Sequence, residues 1–302
     1  MPAMSLTPQV AIRYIPGHGG GDAILPDLVA DLEHRGATVN TVPVSRRVPL
    51  TEAATAAEAL RGRDLVISLG GDGTLLSTAR LVGGTAPIMG LNLKGLGFLT
   101  AATAADFRPA FDAFFGGAVR LEVRHMLEVA WAPDGVAPLV RHPFAALNDI
   151  VFLRDVPAKM VQLEIHLDGH FLTTIEADGL ICATPTGSTA YNLAGGGSIL
   201  WPELDVIALT PIMPHALAIR PVLIPATTQV EVRGVPASRG KIHLSVDGQD
   251  THLFNSGARF LVTRSNVVTY LARLPGTEFG DVLREKLAWG GRLRDLEEPL
   301  GE

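Results

Sequence analysis

Short apolar runs alternate with helix-like segments through the first third of the chain, and this order constrains the fold more than any other feature. The strand-like runs lie at 9–15, 38–44, 64–69 and 87–91, and the segments with helical spacing of apolar residues lie at 24–35, 52–60, 74–81 and 107–115. Strands that alternate with helices pair through helical crossovers. We therefore predict an α/β domain with a mainly parallel sheet and helices on both faces.

The pattern changes near residue 120. From Leu121 to about Leu271, short strand-like runs are separated by turn residues, and Asp168-Gly169 lies between two of them, at 161–167 and 171–175. An Asp-Gly pair in this position is typical of a tight β-hairpin. Further strand-like runs lie at 229–233, 241–246 and 259–262. We predict the α/β domain over 1–120, a β-rich, sandwich-like domain over 121–272, and a C-terminal segment, 273–302, whose helix at 279–289 packs back on the first domain.

Composition argues against several classes of protein. The net charge is −6 and no basic run exceeds two residues, so the chain has no stripe for a phosphate backbone and we expect no nucleic-acid partner. Its apolar runs are strand-length, well short of the roughly 20 residues of a spanning helix, so we expect no membrane partner. The single cysteine, Cys182, cannot form an internal disulfide, which favours a reducing, cytoplasmic location.

The strongest local signal is Gly70-Gly71-Asp72-Gly73-Thr74, which follows a strand-like run and opens a helix-like one. Open α/β sheets bind ligands at this edge, where glycines allow backbone amides to approach phosphate and the helix N-terminus favours anions. A carboxylate there repels phosphate unless it holds Mg²⁺ or takes a proton from an attacking hydroxyl. The alternative is a tight turn in which Asp72 caps the helix. No lysine precedes Ser or Thr, which excludes a Walker-type loop.

Two further clusters carry polar side chains. The run from Asp178 to Asn192 is rich in hydroxyls and contains Tyr191, so it can contact a base or ribose; the alternative is a Ser/Thr-rich turn. Asn148-Asp149 follows an apolar run at 145–147 and can contact a ribose diol, with an Asx-turn as the alternative.

Together these segments resemble the NAD kinase family over about residues 64–289. The resemblance rests on GGDGT (70–74), LNLKGLGFLT (91–100), ALNDIVF (146–152), DGLICATPTGSTAY (178–191), TPIMPHALAIRPVLIP (210–225), SVDGQ (245–249) and LREKLAW (283–289). GGDGT alone also occurs in lipid kinases, whereas TPTGSTAY followed by SVDGQ is much more specific to this family.

The resemblance implies transfer of a phosphoryl group from ATP, or from polyphosphate, to the adenosine 2′-hydroxyl of NAD, giving NADP. It implies that Asp72 is the proton acceptor, that Mg²⁺ or another divalent cation assists, and that the protein forms a homodimer or homotetramer. Lys159 falls where the family often has a ligand-facing polar residue, and a surface lysine is the alternative. The expected contacts to nucleotide or NAD are Gly71, Gly73, Thr74, Asn148, Asp149, Lys159, Asp178, Thr189, Ala190, Tyr191, Asn192, Leu193, Ala194 and Gln249.

Two other functions stay open at this point. A lipid kinase could share GGDGT, although the sequence has no amphipathic basic face for a membrane. A non-catalytic NAD(H)-binding sensor could share the fold, although a pure binder gains little from the carboxylate of Asp72 beside phosphates.

Overall fold

A computed structural model describes residues 7–45, 50–95, 97–155, 160–236 and 240–287 of the 302-residue chain. The helices are α1 (Gly21–His34), α2 (Leu50–Leu60), α3 (Asp72–Val82), α4 (Phe107–Phe115), α5 (Tyr191–Ala194) and α6 (Phe279–Leu287), with 3₁₀ turns at Ala104–Asp106 and Thr186–Thr189. The strands of the first half are β1 (Gln9–Tyr14), β2 (Thr38–Pro43), β3 (Leu65–Leu69), β4 (Pro87–Asn92) and β5 (Ala102–Thr103). The remaining strands are β6 (Arg120–Ala132), β7 (Val140–Arg141), β8 (Asp149–Arg154), β9 (Val161–Leu167), β10 (His170–Ala177), β11 (Gly179–Ala183), β12 (Val206–Ile212), β13 (Val222–Pro225), β14 (Val230–Gly234), β15 (Lys241–Val246), β16 (Asp250–Asn255) and β17 (Arg259–Arg273).

The first half is a parallel sheet with helices on both faces. Strands β2, β1, β3 and β4 lie side by side and all pair in parallel. Apolar side chains of α1 and α4 pack on one face, for example Leu28 and Phe111, and those of α2 and α3 pack on the other, for example Leu60 and Leu75. The carboxyl ends of all four strands therefore meet at one edge, as the alternating sequence pattern predicted.

The second half is an antiparallel sandwich. Within the described residues, β13, β12, β11, β8, β15 and β16 form a six-stranded antiparallel sheet. It packs against β9, β14, β17 and β6, and the apolar core between the layers includes Phe152, Leu244 and Phe260. The predicted fold class, an α/β domain followed by a β-rich sandwich, is confirmed.

The two halves share one sheet. The last part of β17 pairs in parallel with β4 at Tyr270 and Leu271, so an eleven-stranded sheet continues from the parallel half into the antiparallel half among the described residues. The proposed division at residues 120 and 272 stays a prediction, although β6 begins at residue 120.

Two local predictions concern the hairpin and the C-terminal helix. Asp168 and Gly169 both have positive φ, 49° and 81°, and connect β9 to antiparallel β10, so the predicted hairpin is confirmed. The described part of the predicted helix at 279–289 is α6; residues 288–302 lie outside the described residues. The ring of Phe279 packs on Trp201 of the second half, with centroids 5.1 Å apart, and packing of α6 on the first domain stays a prediction.

Candidate functional site

The GGDGT segment forms the turn from β3 into α3. Gly70 has a φ of 150° and lies so close to Thr74 that a Cβ at position 70 would overlap that side chain, so this backbone path requires glycine. The helix begins at Asp72 and its N-cap is Gly71, which has no side chain to cap it. The alternative interpretation of Asp72 as the N-cap is therefore wrong.

The carboxylate of Asp72 is held by a different loop. The amide of Phe98 donates to Oδ2 at 3.0 Å and the amide of Leu99 donates to Oδ1 at 3.1 Å. A Cβ at Gly97 would overlap Oδ1, so a glycine is needed where this loop meets the carboxylate. Each oxygen accepts one amide and keeps capacity for another donor, and the residue is half-buried. The carboxylate is thus fixed in direction and still open to a ligand.

A cavity of about 510 Å³ opens beside the GGDGT turn; Gly71 and Gly73 line it, whereas Asp72 between them is not among the lining residues. Glycine and threonine of the GGDGT turn form one wall, and the turn between β15 and β16 forms another. The lining residues are Ile15, His18, Gly19, Gly70, Gly71, Gly73, Thr74, Asn92, Leu93, Lys94, Gly248 and Gln249. Four expected contact residues, Gly71, Gly73, Thr74 and Gln249, therefore lie around one cavity.

His18 and Lys94 are the residues that the sequence interpretation missed. Both are exposed, line the cavity and carry or can carry positive charge. The glycine-rich segment 16–21 lacks the G-x-G-x-x-G spacing of a dinucleotide-binding loop, so its residue types alone indicate no more than a flexible loop. The signal available was its position: it follows β1 directly, at the same edge of the parallel sheet as GGDGT.

A second group of polar residues lies around the carboxylate of Asp247. Its oxygens accept the amides of Leu147, Asn148 and Asp149 at 2.8, 2.7 and 3.1 Å. Burial raises the pKa of Asp247 to about 6 even though these amides and Arg80 oppose the rise. Burial, with the charge of Asp247 adding, raises the pKa of Asp149 to about 7. Since Gly248 and Gln249 line the cavity, this turn joins the Asn148-Asp149 pair to the GGDGT site.

The side chain of Asn148 offers a free acceptor. Its Oδ1 is buried and has no hydrogen-bond partner among the described residues. Buried polar atoms almost always have a partner, so this unpaired acceptor is a candidate for contact with a ligand, although Asn148 is not among the residues that line the cavity. This observation favours a ligand contact over the Asx-turn interpretation.

The hydroxyl-rich block lies directly against this pair. The amide of Thr184 donates to the carbonyl of Asn148 at 2.9 Å, and a Cβ at Gly187 would overlap that same carbonyl. The Thr184 hydroxyl donates to the carbonyl of Leu147 at 2.6 Å, and the Ser188 hydroxyl donates to that of Pro185 at 2.6 Å. Part of the hydroxyl cluster thus serves the fold, as the turn interpretation held.

Within the block, Tyr191 and Asn192 differ in how much of the side chain is accessible to a ligand. Tyr191 is 41% exposed and presents an aromatic face. Asn192 is fully buried: its Nδ2 donates to the carbonyls of Ser188 and Ser198, and its Oδ1 accepts the hydroxyl of Thr210 at 2.6 Å. The Asn192 side chain therefore holds the turn together, which leaves only its backbone for a ligand. Thr189, Ala190, Leu193 and Ala194 are not fully buried and flank Tyr191 and Asn192.

Comparison with known proteins assigns the family. The model of the ATP-NAD kinase N-terminal domain matches residues 27–119, and that of the ATP-NAD kinase C-terminal domain matches residues 147–274. An NAD kinase of Citrifermentans bemidjiense is 38% identical over 276 residues, which cover 89% of this chain and 94% of that protein. The chain belongs to the NAD kinase family. The family resemblance drawn from the sequence motifs is confirmed.

Solved structures related to the NAD kinase family share the fold. The crystal structure of yeast NADH kinase complexed with NADH matches with a TM-score of 0.79 and 24% identity, over 98% of this chain and 91% of that one. An NAD kinase from Archaeoglobus fulgidus in complex with ATP matches with a TM-score of 0.70 and 23% identity, over 93% and 97% of the two chains. At these identities the likeness concerns the fold.

One expected site residue of this NAD kinase family member, Asp178, lies away from the cluster. Asp178 precedes β11, whereas Asn148 and the hydroxyl block lie at the other end of that strand, about 17 Å away at 3.3 Å per residue. Its carboxylate pairs with Arg154, Nε to Oδ1 at 2.5 Å. Its place in a dinucleotide site stays a prediction. Lys159 lies outside the described residues.

No metal site is built from side chains in the part of the chain that the structure describes: no three His, Cys, Asp or Glu residues there cluster in a way that could hold an ion. Likewise, no described helix has the length and apolar character needed to cross a membrane.

Proposed function

We propose that this member of the NAD kinase family transfers the terminal phosphoryl group of ATP to the adenosine 2′-hydroxyl of NAD, with Asp72 as the general base. The observation that carries the proposal is the carboxylate of Asp72, which two amides orient at the N-terminus of α3, between the cavity-lining residues Gly71 and Gly73. The new bond joins the 2′-oxygen to the γ-phosphorus, the bond to the β,γ-bridging oxygen breaks, and the hydroxyl proton passes to Asp72. ADP and NADP are the products.

The donor phosphates fit the 510 Å³ cavity. Gly71 and Gly73 leave backbone amides accessible at the N-terminus of α3, which favours anions. On the opposite loops, Lys94 supplies a cationic side chain and His18 an imidazole that can hydrogen-bond to phosphate. A related NAD kinase of Archaeoglobus fulgidus has been solved in complex with ATP, which supports ATP as the donor. Inorganic polyphosphate presents the same phosphate chemistry and is a second donor to test.

The acceptor NAD fits the group around Asn148 and Asp149. The unpaired Oδ1 of Asn148 can accept a ribose hydroxyl or an adenine amino group, and Asp149 can accept a second. The exposed ring of Tyr191 offers a flat surface to a base or to nicotinamide. A related yeast NADH kinase has been solved with NADH, which supports a dinucleotide acceptor.

A divalent cation completes the charge balance. His18 and Lys94 cannot neutralise a triphosphate alone, and the carboxylate of Asp72 adds negative charge. With no side-chain metal cluster among the described residues, the cation is expected to arrive bound to the donor phosphates. There it would neutralise charge on the transferring group. We expect NADP formation to stop in excess chelator and to return when Mg²⁺ is added back; full activity in chelator would contradict this.

The test of the proposed function is the conversion of NAD itself. Purified protein is incubated with NAD, ATP and Mg²⁺, and NADP is measured with an NADP-specific dehydrogenase. Parallel reactions replace NAD with diacylglycerol vesicles, or ATP with polyphosphate. We expect NADP and no lipid phosphate. Lipid phosphorylation without NADP would identify a lipid kinase, and NAD binding without turnover would identify a sensor.

Two further parts of the proposal concern the oligomeric state and the cellular location of the protein. The family resemblance supports a homodimer or homotetramer, which sedimentation measurements would resolve. A cytoplasmic location is supported by the single, fully buried cysteine, Cys182.

A further inference from the structure

Arg273 donates hydrogen bonds to the backbone of the loop whose amides bind the Asp72 carboxylate. It ends β17 and only 5% of its surface is exposed. Its Nη2 donates to the carbonyl of Phe98 at 2.8 Å, and its Nη1 donates to that of Thr100 at 3.0 Å. The amides of Phe98 and Leu99 face the other way and donate to Asp72. The guanidinium of Arg273 therefore binds the carbonyls of residues 98–100, and the carboxylate of Asp72 binds the amides of the same stretch.

A buried ion network continues from Arg273 to the hydroxyl-rich block. The Nε of Arg273 pairs with Oε2 of Glu122 at 3.2 Å, and the same oxygen accepts Nη2 of Arg124. Arg124 is 3% exposed, and its Nη1 donates to the Thr186 hydroxyl at 3.3 Å. Glu122 and Arg124 stand two residues apart on β6, so both side chains leave the same face of the sheet. The network thus spans from the Asp72 loop to the block that lies against Asn148.

Such a network is a costly way to stabilise a fold. Burial lowers the pKa of Arg273, as does Arg124, while the carboxylates of Glu122 and Asp72 oppose the shift. Buried ion pairs often stabilise a protein no better than apolar residues of the same volume would. The planar fork of arginine, however, directs donors along three fixed lines, which a lysine ammonium cannot reproduce. Three such donors bind two carbonyls and a carboxylate, and together they fix the conformation of the loop.

We propose that Arg273 is a positioning residue for the phosphoryl transfer: it orients Asp72 through the backbone of residues 98–100, and Glu122 and Arg124 tie this support to Thr186 beside the acceptor site. The inference rests on the proposed function, because its readout is the turnover of NAD.

The test is a double-mutant cycle with Arg273→Lys and Asp72→Asn. Arg273→Lys keeps the charge and loses the fork, so turnover should fall by about 10- to 100-fold, the range expected for a displaced catalytic group. The Michaelis constant for NAD should change by less than about threefold. In the Asp72→Asn background the same substitution should cost less than about threefold, because the carboxylate that it positions is already gone.

Arg120→Lys is the matched control. Arg120 pairs with the other oxygen of Glu122, Oε1, at 2.6 Å, yet its side chain is 57% exposed and has no bond to the 98–100 backbone. We expect wild-type turnover from this variant. Thermal unfolding is followed for every variant, and if Arg273→Lys does not fold, Glu122→Gln enters the same cycle with the same expectation in direction.

Several outcomes separate this inference from the proposed function. A wild-type protein that makes no NADP removes the function and the inference together. A wild-type protein that makes NADP, with Arg273→Lys equal to Arg120→Lys, overturns the inference alone. Equal losses from Arg273→Lys with and without Asp72 also overturn it, because the arginine would then act on the fold in general.

Discussion

Two aspartates in this molecule, Asp72 and Asp247, each accept hydrogen bonds from the backbone amides of a loop that is distant in the sequence. Asp72 accepts two amides from the 98–99 backbone, and Asp247 accepts three from the 147–149 backbone. They differ in exposure: Asp72 is half-buried beside the cavity, whereas Asp247 is buried and its pKa is raised to about 6. At the scale of single residues, one carboxylate is therefore partly accessible at the N-terminus of α3, and the other is buried and shapes the loop at residues 147–149.

Gly97→Ala tests how tightly Asp72 must be held. The new methyl group would overlap Oδ1 of Asp72, while the backbone at 97 is not in a left-handed conformation and accepts alanine. We expect turnover to fall by about 10- to 100-fold with little change in the unfolding midpoint. Gly240→Ala, where a methyl group meets nothing within 4 Å, is the control. A Gly97→Ala enzyme as active as this control would show that the carboxylate position is not critical.

The raised pKa of Asp149 predicts how stability depends on pH. In the folded protein this carboxyl has a pKa of about 7, above its value in the unfolded chain. Between these values the folded state binds the proton more tightly, so this contribution is present at acid pH and is lost as pH rises through 7. From pH 5 to pH 8 the free energy of unfolding should fall on the order of 2 kcal/mol more in the wild type than in Asp149→Asn.

Urea denaturation of both proteins at the two pH values measures this difference. The comparison cancels the titration of shared carboxylates that do not interact with Asp149; Asp247 does interact with it, so the measured difference includes the coupling of this pair. A wild-type protein that gained stability relative to Asp149→Asn over this interval would show that the Asp149 carboxylate is charged and compensated in the folded state.

At the scale of elements, regular spacing of apolar residues predicted the bounds of helices and strands well, and interrupted spacing did not. The apolar spacing placed α4, β9 and β15 at their observed bounds. By contrast, the strand recognised at 259–262 is the start of β17, which continues to Arg273. Its pairing with β6 shifts register between Arg264 and Val268, and this irregularity breaks the alternation that a strand pattern depends on.

The same contrast holds for the site. GGDGT was found because its glycines and aspartate follow a strand-like run, whereas SVDGQ was found through the family resemblance. The amides that hold Asp72 come from residues 26 and 27 positions away and belong to the backbone, so no side-chain pattern marks them. The network of Arg273, Glu122 and Arg124 was missed because charged residues on strands are normally exposed, whereas Arg124 and Arg273 are only 3% and 5% exposed in the fold.

Tyr191→Ala tests the element formed by the 3₁₀ turn at Thr186–Thr189 and α5. If the ring packs on the dinucleotide, its loss removes about 1 kcal/mol or more, so the Michaelis constant for NAD should rise about fivefold or more. The value for ATP should stay nearly constant. Phe171→Ala removes another exposed aromatic ring, on β10, and should change neither value. An effect confined to ATP would show that the donor and acceptor sites are assigned in reverse.

At the scale of the whole molecule, the site lies where the two halves meet. The parallel half supplies the loops after β1, β3 and β4, and the antiparallel half supplies the turn between β15 and β16. An ion pair from Arg80 on α3 to Asp250 on β16 joins the same two elements. Donor and acceptor can thus meet between halves that β17 and β4 hold in one sheet. The alternating sequence predicted the halves, whereas their junction depends on contacts between residues far apart in the chain.

The measurement that tests the central claim most directly is the turnover of Asp72→Asn at saturating NAD across a series of Mg²⁺ concentrations, with NAD binding followed separately. Asparagine keeps the size of the side chain and one acceptor oxygen, but it cannot take a proton at neutral pH. We expect near-normal affinity for NAD and a loss of at least about 100-fold in turnover that added Mg²⁺ does not restore. Recovery at high Mg²⁺ would make Asp72 a metal ligand instead. Near-wild-type turnover at every Mg²⁺ concentration would contradict the assignment of Asp72 as the base and place the chemistry elsewhere in the molecule.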